Sequence, residues 1–303
     1  MINSKIKQVD RVVITTLLED DAGHMTSFWA RQGISFLIEV VLGDATKRIL
    51  FDTGQSVEPV IRNMEILGIN PHMIDMIALS HCHYDHTGGL VGMLKQIKKE
   101  NVPVLAHPGL FRPHFVAGAS EPGHWLLRQI GMVGENTEEN VKKYGGCLAL
   151  VASPFEIMPG VLWTGEVERV TDFEKSVTIA ARTIKGGEIV NDQILDDTSL
   201  VINVKDEGLF VVTGCSHAGI VNIVKQSMKL SQVERVRAVI GGFHLIGADE
   251  DRIMRTAKAL KDLGVEKVYA GHCTGFKGEA AIYNEFKDDF EKLHCGKVIR
   301  SHL

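Results

Sequence analysis

Three histidines and an aspartate fall within six residues in His81-Cys82-His83-Tyr84-Asp85-His86, a density of cation-binding groups matched nowhere else in the 303-residue chain. On an extended backbone side chains alternate with period two, so His81 and His83 project to one side and their imidazoles can share one cation. Asp85 and His86, where the chain turns towards a helix, can project towards a second cation close by. Such nitrogen and oxygen donors suit two divalent ions, Zn first, with Mn, Fe or Mg also accepted. A lone histidine would read as a cap, but clustered His and Asp after a strand mark a metal or catalytic site. Gly88 and Gly89 read as the tight turn that follows. Further on, the glycine pair of Gly241-Gly242-Phe243-His244-Leu245 lets backbone come close to a ligand, which makes His244 a candidate acid, base or substrate contact and Phe243 a candidate substrate neighbour.

These groups need elements to hold them. RVVITTLL, SFLIEVVL, KRILFD and DMIALS read as strands and IRNMEILG and LVGMLKQIKKE as helices, an α/β order with the His/Asp cluster at a strand-to-helix junction. Residues 107–146 break the alternation; rich in Gly, Pro and aromatics and too long for a connector, they read as a partly helical lid inserted in a single domain over 1–303. A second β-rich stretch follows (LALVAS, VLWTGEV, SVTIAAR, SLVINV, LFVVTG), then strands VRAVIGG and KVYAG, a helical EAAIYNEFKDDFEKLH and a last strand KVIRS. The second half echoes the first. Two such halves face to face make a four-layer sandwich whose polar strand ends meet at one edge, where open α/β sheets bind ligands.

Composition narrows the function classes. A chain that is 45% hydrophobic can bury a substantial core, which excludes disorder. With 33 basic and 38 acidic residues and no long run of either sign, nothing tracks a nucleic-acid backbone. No segment reaches the roughly 18 apolar residues of a membrane span, and the N-terminus carries no signal-peptide pattern, so no membrane partner and a cytoplasmic location are expected. Five scattered cysteines agree with a reducing compartment. Oligomeric state leaves no trace in the sequence.

The HxHxDH spacing resembles that of the metallo-β-lactamase superfamily, and the resemblance implies an αββα sandwich with an active site along its edge. Phe51-Asp52-Thr53-Gly54 is similar to that family's first motif, which implies a hydrogen-bonding role for Asp52 within the site. Tyr269-Ala270-Gly271-His272-Cys273-Thr274-Gly275 is similar to its last, which implies His272 as a metal ligand and leaves Cys273 as small filler. The middle motifs depart from the pattern of a His before a β-hairpin and a bridging Asp after it. Asp196 or Asp197 occupies the neighbourhood of the expected His, Cys215 stands where the Asp falls, and His217 two residues on is placed to replace the missing ligand. Cys215 can bridge or bind as a thiolate, or be a buried neutral thiol.

GCSHAG, GGFHL and GHCTG together with HCHYDH resemble the branch of dihydropterin-methyl-ribofuranosylaminobenzene phosphate synthases, across nearly the whole chain. That resemblance implies a small, phosphorylated, pterin-like substrate and displacement of diphosphate. Lys277, Thr274 and Arg112 are the candidate phosphate contacts, and Phe111, Phe115 and Trp125 the candidate apolar lid over a flat ring. Two other readings stand beside it: a metal-dependent hydrolase acting on phosphodiesters or lactones, and a binding protein that keeps the fold without turnover.

Overall fold

A computed structural model describes residues 5–121, 124–174 and 180–302. In chain order its elements are β1 (Arg11–Leu18), β2 (Ser35–Leu42), β3 (Ala45–Phe51), α1 (Val57–Leu67), β4 (Met76–Ala78), α2 (Tyr84–Thr87), α3 (Leu90–Ile97) and β5 (Val102–Ala106). Next come β6 (His114–Glu121), β7 (His124–Gln129), α4 (Glu138–Lys143), β8 (Gly146–Leu150), β9 (Phe155–Met158), β10 (Val161–Trp163), β11 (Ala181–Lys185) and β12 (Glu188–Asn191). The chain ends with β13 (Ser199–Val204), β14 (Gly208–Thr213), α5 (Ile220–Ser231), β15 (Val236–Gly242), α6 (Glu250–Asp262), β16 (Lys267–Gly271), α7 (Gly275–Phe286), β17 (Phe290–Lys292) and β18 (Val298–Arg300).

Two seven-stranded sheets form the inner layers, in the orders β18-β1-β2-β3-β4-β5-β8 and β17-β16-β15-β14-β13-β10-β9. The period-two alternation decides which way each strand faces. Phe36, Ile38 and Val40 of β2 point at Leu200, Ile202, Phe210 and Val212 of the other sheet, while Leu37 turns outward beneath α1 and α3. Because β13 and β14 are covered on both faces, their sequences SLVINV and GLFVVT are almost continuously apolar. Helices close the outer layers. In α6 the buried Ile253, Thr256, Ala257 and Leu260 fall on one stripe, Asp249 caps the first turn through Arg252 N (2.8 Å), and Lys261 sits at the negative end of the dipole. The fold is thus the four-layer αββα sandwich expected from the sequence.

Three segments differ from expectation. The stretch 107–146 is built around a β-hairpin, β6 with β7, which joins β11 and β12 in a separate four-stranded sheet; among its described residues the one helix, α4, has only six residues. Alternating residues such as His114, Val116 and Arg128 suit a hairpin, and the Gly/Pro content masked that period. LALVAS, read as opening the second half, instead adds β8 in parallel to β5 at the edge of the first sheet. The tail helix ends at Phe286, after which Phe290–Lys292 pairs in parallel with β16. Most of SVTIAAR and the side chain of Trp125 lie outside the described residues.

A buried carboxylate braces the second sheet's first helix. Glu174 accepts the N–H groups of Val221 (2.9 Å) and Asn222 (2.9 Å) at the start of α5. Burial raises its carboxyl above the ordinary 4.5, against the pull of those donors. The folded chain therefore keeps this proton where the unfolded chain has released it, so the stability it contributes is full below pH 4.5 and declines as pH rises towards the raised value. Glu174→Gln is expected to flatten that slope, seen as a denaturant midpoint that depends less on pH across the window; an unchanged slope would refute the assignment.

Candidate metal centre

The His/Asp cluster lies just past the C-terminal end of β4, and Asp52, at the end of β3, organises it. Asp52 sits in the left-handed region at φ 60° and is fully buried. Its Oδ1 accepts Ser80 N (2.7 Å); its Oδ2 accepts the Ser80 hydroxyl (2.6 Å) and the His86 Nδ1–H (2.7 Å). The Ser80 hydroxyl also meets His81 Nδ1 at 2.9 Å. Anchored at Nδ1, both rings direct Nε2 into the site, which is the role the sequence implied for Asp52. Gly88 and Gly89 are needed for a different reason from the turn assigned to them. Their φ values are −63° and −87°, open to any residue, but a Cβ would meet Gln55 O at 2.0 Å and Thr53 O at 2.3 Å. They let the loop after β3 close on the helix that carries Asp85.

The opposite wall comes from the second sheet. Cys215 and His217 follow β14, His244 follows β15, and His272 follows β16, so four strand ends converge on one edge. His81 Nε2, His217 Nδ1 and His244 Nδ1 are buried and have no hydrogen-bond partner among the described residues, and His272 Nε2 has only the long contact to Asp85 Oδ2 (3.5 Å). An unsatisfied buried ring nitrogen is costly, and several aimed at one space are what a cation would satisfy. The donors fall into three groups whose ligand atoms lie within 4.8 Å of one another: His81, Cys215 and His217; His86, Cys215 and His272; Cys215, His244 and Cys273. The residues present therefore fit a metal. Cys215 is common to all three groups and lies 3.1 Å from His86 Nε2. Burial raises both thiols; their mutual contact pushes Cys215 further up, while Cys215, His272 and His244 bring Cys273 down.

Other expected residues occupy specific positions. His83 is in the cluster, with Nδ1 3.2 Å from His217 Nε2 and Nε2 3.0 Å from His114 Nε2. Burial depresses its basicity to about 3. Asp85 directs Oδ2 towards His272 Nε2 (3.5 Å) and Gln32 Nε2 (3.3 Å); burial raises its carboxyl, but His86 and His272 outweigh that and hold it below the usual range. His244 has φ 44° and sits 4.3 Å, centroid to centroid, from the His217 ring. Gly242 is obligatory beneath it, since a Cβ there would meet Cys273 Sγ at 2.7 Å. Cys273, taken as filler, thus lies among the donors.

The substrate candidates are not gathered at the centre. Phe243 is fully buried in the core, and Thr274 is buried with its hydroxyl accepting Phe243 N (3.0 Å), so both hold the loop instead of facing a substrate. Lys277 lies on an adjoining groove with Phe276. Arg112 is paired with Asp192 (2.8 Å) and Asp196 (2.7 Å) at a separate recess. Asp196 also accepts Cys82 N (2.8 Å), and Asp197 accepts Ala218 N (2.8 Å), so the two aspartates brace the motifs on either side of the centre. Phe111 packs against the core under α3.

Sequence reasoning missed His114, Asp20 and Asp192. His114, brought in by the hairpin, is buried against His83 and backed by Asp192 (2.5 Å); His272 is backed in the same way by Asp20 (3.0 Å). Each histidine–carboxylate pair joins residues at least 78 positions apart, which no local spacing can reveal. A cleft of about 640 Å³ opens over the centre, with Tyr84, Val116, Arg128, Ile130 and Ile246 on its walls.

With this geometry in place, the comparisons with known proteins agree. The metallo-beta-lactamase superfamily profile matches residues 29–272. A Methanocaldococcus jannaschii protein named 7,8-dihydropterin-6-methyl-4-(beta-D-ribofuranosyl)-aminobenzene-5'-phosphate synthase is 49% identical over 97% of this chain and 98% of its own. A solved metal-dependent hydrolase of the beta-lactamase superfamily is 28% identical, with TM-score 0.77 over 95% of this chain and 98% of its own. A metallo-beta-lactamase fold protein from Bacillus subtilis, 13% identical with TM-score 0.55 over 96% of this chain and 100% of its own, shares the fold. This chain belongs to the metallo-β-lactamase superfamily and is one of its enzymes.

Proposed function

We propose that the enzyme joins a dihydropterin methyl diphosphate to a ribofuranosylaminobenzene 5′-phosphate, releasing diphosphate. The observation that carries this reading is the 49% identity, over almost the full length of both chains, with the synthase from Methanocaldococcus jannaschii. The aminobenzene nitrogen or a ring carbon attacks the pterin methylene, the C–O bond to diphosphate breaks, and one proton leaves the nucleophile. Two divalent cations, zinc foremost, would be held by His81, His83, His217, His86, Asp85, His272 and Cys215 and would supply charge neutralisation for the departing diphosphate. Asp85 and His244 line the cleft and are the groups assigned to take up the proton. The buried Asp52 and Asp192 and the exposed Asp20 fix ring orientation, so the centre is formed before substrate arrives. The hairpin β6–β7 with Val116, Arg128 and Ile130 on the cleft wall serves as the lid of a single domain. Among the described residues no helix is long and apolar enough to cross a membrane.

The test is mass detection of the condensed product from both substrates and metal-loaded protein. Product is expected. Its absence from protein shown to hold metal would move the assignment to a hydrolase, the second reading, which the 28% identical solved hydrolase favours. A panel of phosphoesters and lactones would then identify the substrate.

A further inference from the structure

A phosphorylated substrate needs a cation to hold it, and the phosphate contacts expected from the sequence are spent or elsewhere. Arg112 is neutralised by two carboxylates, and Lys277 faces the adjoining groove. Among the described residues lining the cleft over the metal centre, Arg128 is the only lysine or arginine. It comes from β7 of the inserted hairpin and is exposed. Its guanidinium rests over the Tyr84 ring, 5.6 Å from the centroid, and donates to the Tyr84 hydroxyl (3.2 Å). No ion pair among the described residues gives it a carboxylate. The acidic groups of the cleft are already engaged: Asp20 by His272, and Asp85 by His272 and Gln32. Tyr84 in turn donates to Gln32 Oε1 (3.2 Å), so a hydrogen-bonded chain runs from Arg128 through Tyr84 and Gln32 to Asp85.

An arginine held on an aromatic face but not neutralised is oriented for an anion that has yet to arrive, and its planar fork matches two phosphoryl oxygens. We propose that Arg128 grips a phosphoryl group of the substrate, which makes the inserted hairpin part of the enzyme's specificity. This rests on the phosphorylated-substrate reading above. Two groups share the required chemistry: the 5′-phosphate of the ribosyl acceptor and the diphosphate of the pterin donor.

Titration calorimetry on metal-loaded protein with ribose 5-phosphate and with inorganic diphosphate, metal content matched across variants, separates them. Arg128→Ala is expected to weaken at least one probe about ten- to hundredfold, the worth of a charge-assisted hydrogen bond or two. The probe that moves identifies the group held. Arg128→Lys, with charge but no fork, should recover part of the loss, and Lys277→Ala should stay within about twofold of wild type, as for a solvated surface charge. The proposal is overturned if Arg128→Ala binds both probes like wild type, if Lys277→Ala accounts for the loss, or if wild type binds neither. These probes are independent of condensation. Absence of product with intact Arg128-dependent binding would remove the synthase reading alone, and product formation with unaltered probe binding in Arg128→Ala would remove this proposal alone.

Discussion

Asp85→Ala is expected to lower turnover about a thousandfold, within the hundred- to ten-thousandfold range of a positioned acid or base. The carboxylate lies at the start of α2, 7% exposed, facing the cleft and 3.5 Å from His272 Nε2. His86 and His272 keep it ionised despite burial, so over the neutral range it carries the negative charge that holds a cation or orients a reacting group. Its backbone position depends on Gly33, where a Cβ would meet Asp85 O at 1.9 Å, and not on the side chain, so truncation should leave the fold intact. The measurement is kcat for the condensation, with circular dichroism as the fold control. Turnover within tenfold of wild type in a folded variant would remove Asp85 from the chemistry, and the reading of a binding protein without turnover already fails if wild type turns over at all.

The second large effect concerns Cys215. If its sulfur joins the two halves of the centre, Cys215→Ala should cost at least about a hundredfold in metal affinity, beyond the ten- to hundredfold typical of a residue that only supports a ligand. Cys215→Asp should recover much of it, since a carboxylate is also a ligand for such ions. A cobalt-substituted sample offers a direct reading: sulfur-to-cobalt charge-transfer absorption is expected in the wild type and should disappear in Cys215→Asp. A buried neutral thiol would give no such band, and Cys215→Ala would then hold metal as wild type does. Cys273 lies among the same donors, so Cys273→Ala is the necessary partner: a band that persists in Cys215→Asp but vanishes in Cys273→Ala assigns the sulfur ligand to Cys273.

The sequence determined what short-range periodicity can encode. Alternation in SFLIEVVL and SLVINV separates the residues of the inter-sheet core from those under the helices, and the spacing of Ile253, Thr256, Ala257 and Leu260 fixes the buried stripe of α6. Three His and an Asp in six residues likewise marked a candidate metal site, because their donors are close in the chain before any folding occurs. Tertiary structure decided what depends on distant segments meeting. Asp20, Asp192 and His114 gain their roles only when β1, the hairpin and the second sheet converge on one edge, which orients His272 and His83 through residues far away in the chain. It also removed Phe243, Thr274 and Arg112 from the list of substrate contacts, since burial and ion pairing are properties of the packed molecule. Residue type states which chemistry is available; which of those groups face the same space without a carboxylate, as Arg128 does among the described residues, or without a hydrogen-bond partner, as His81 Nε2 and His217 Nδ1 do there, is set by packing.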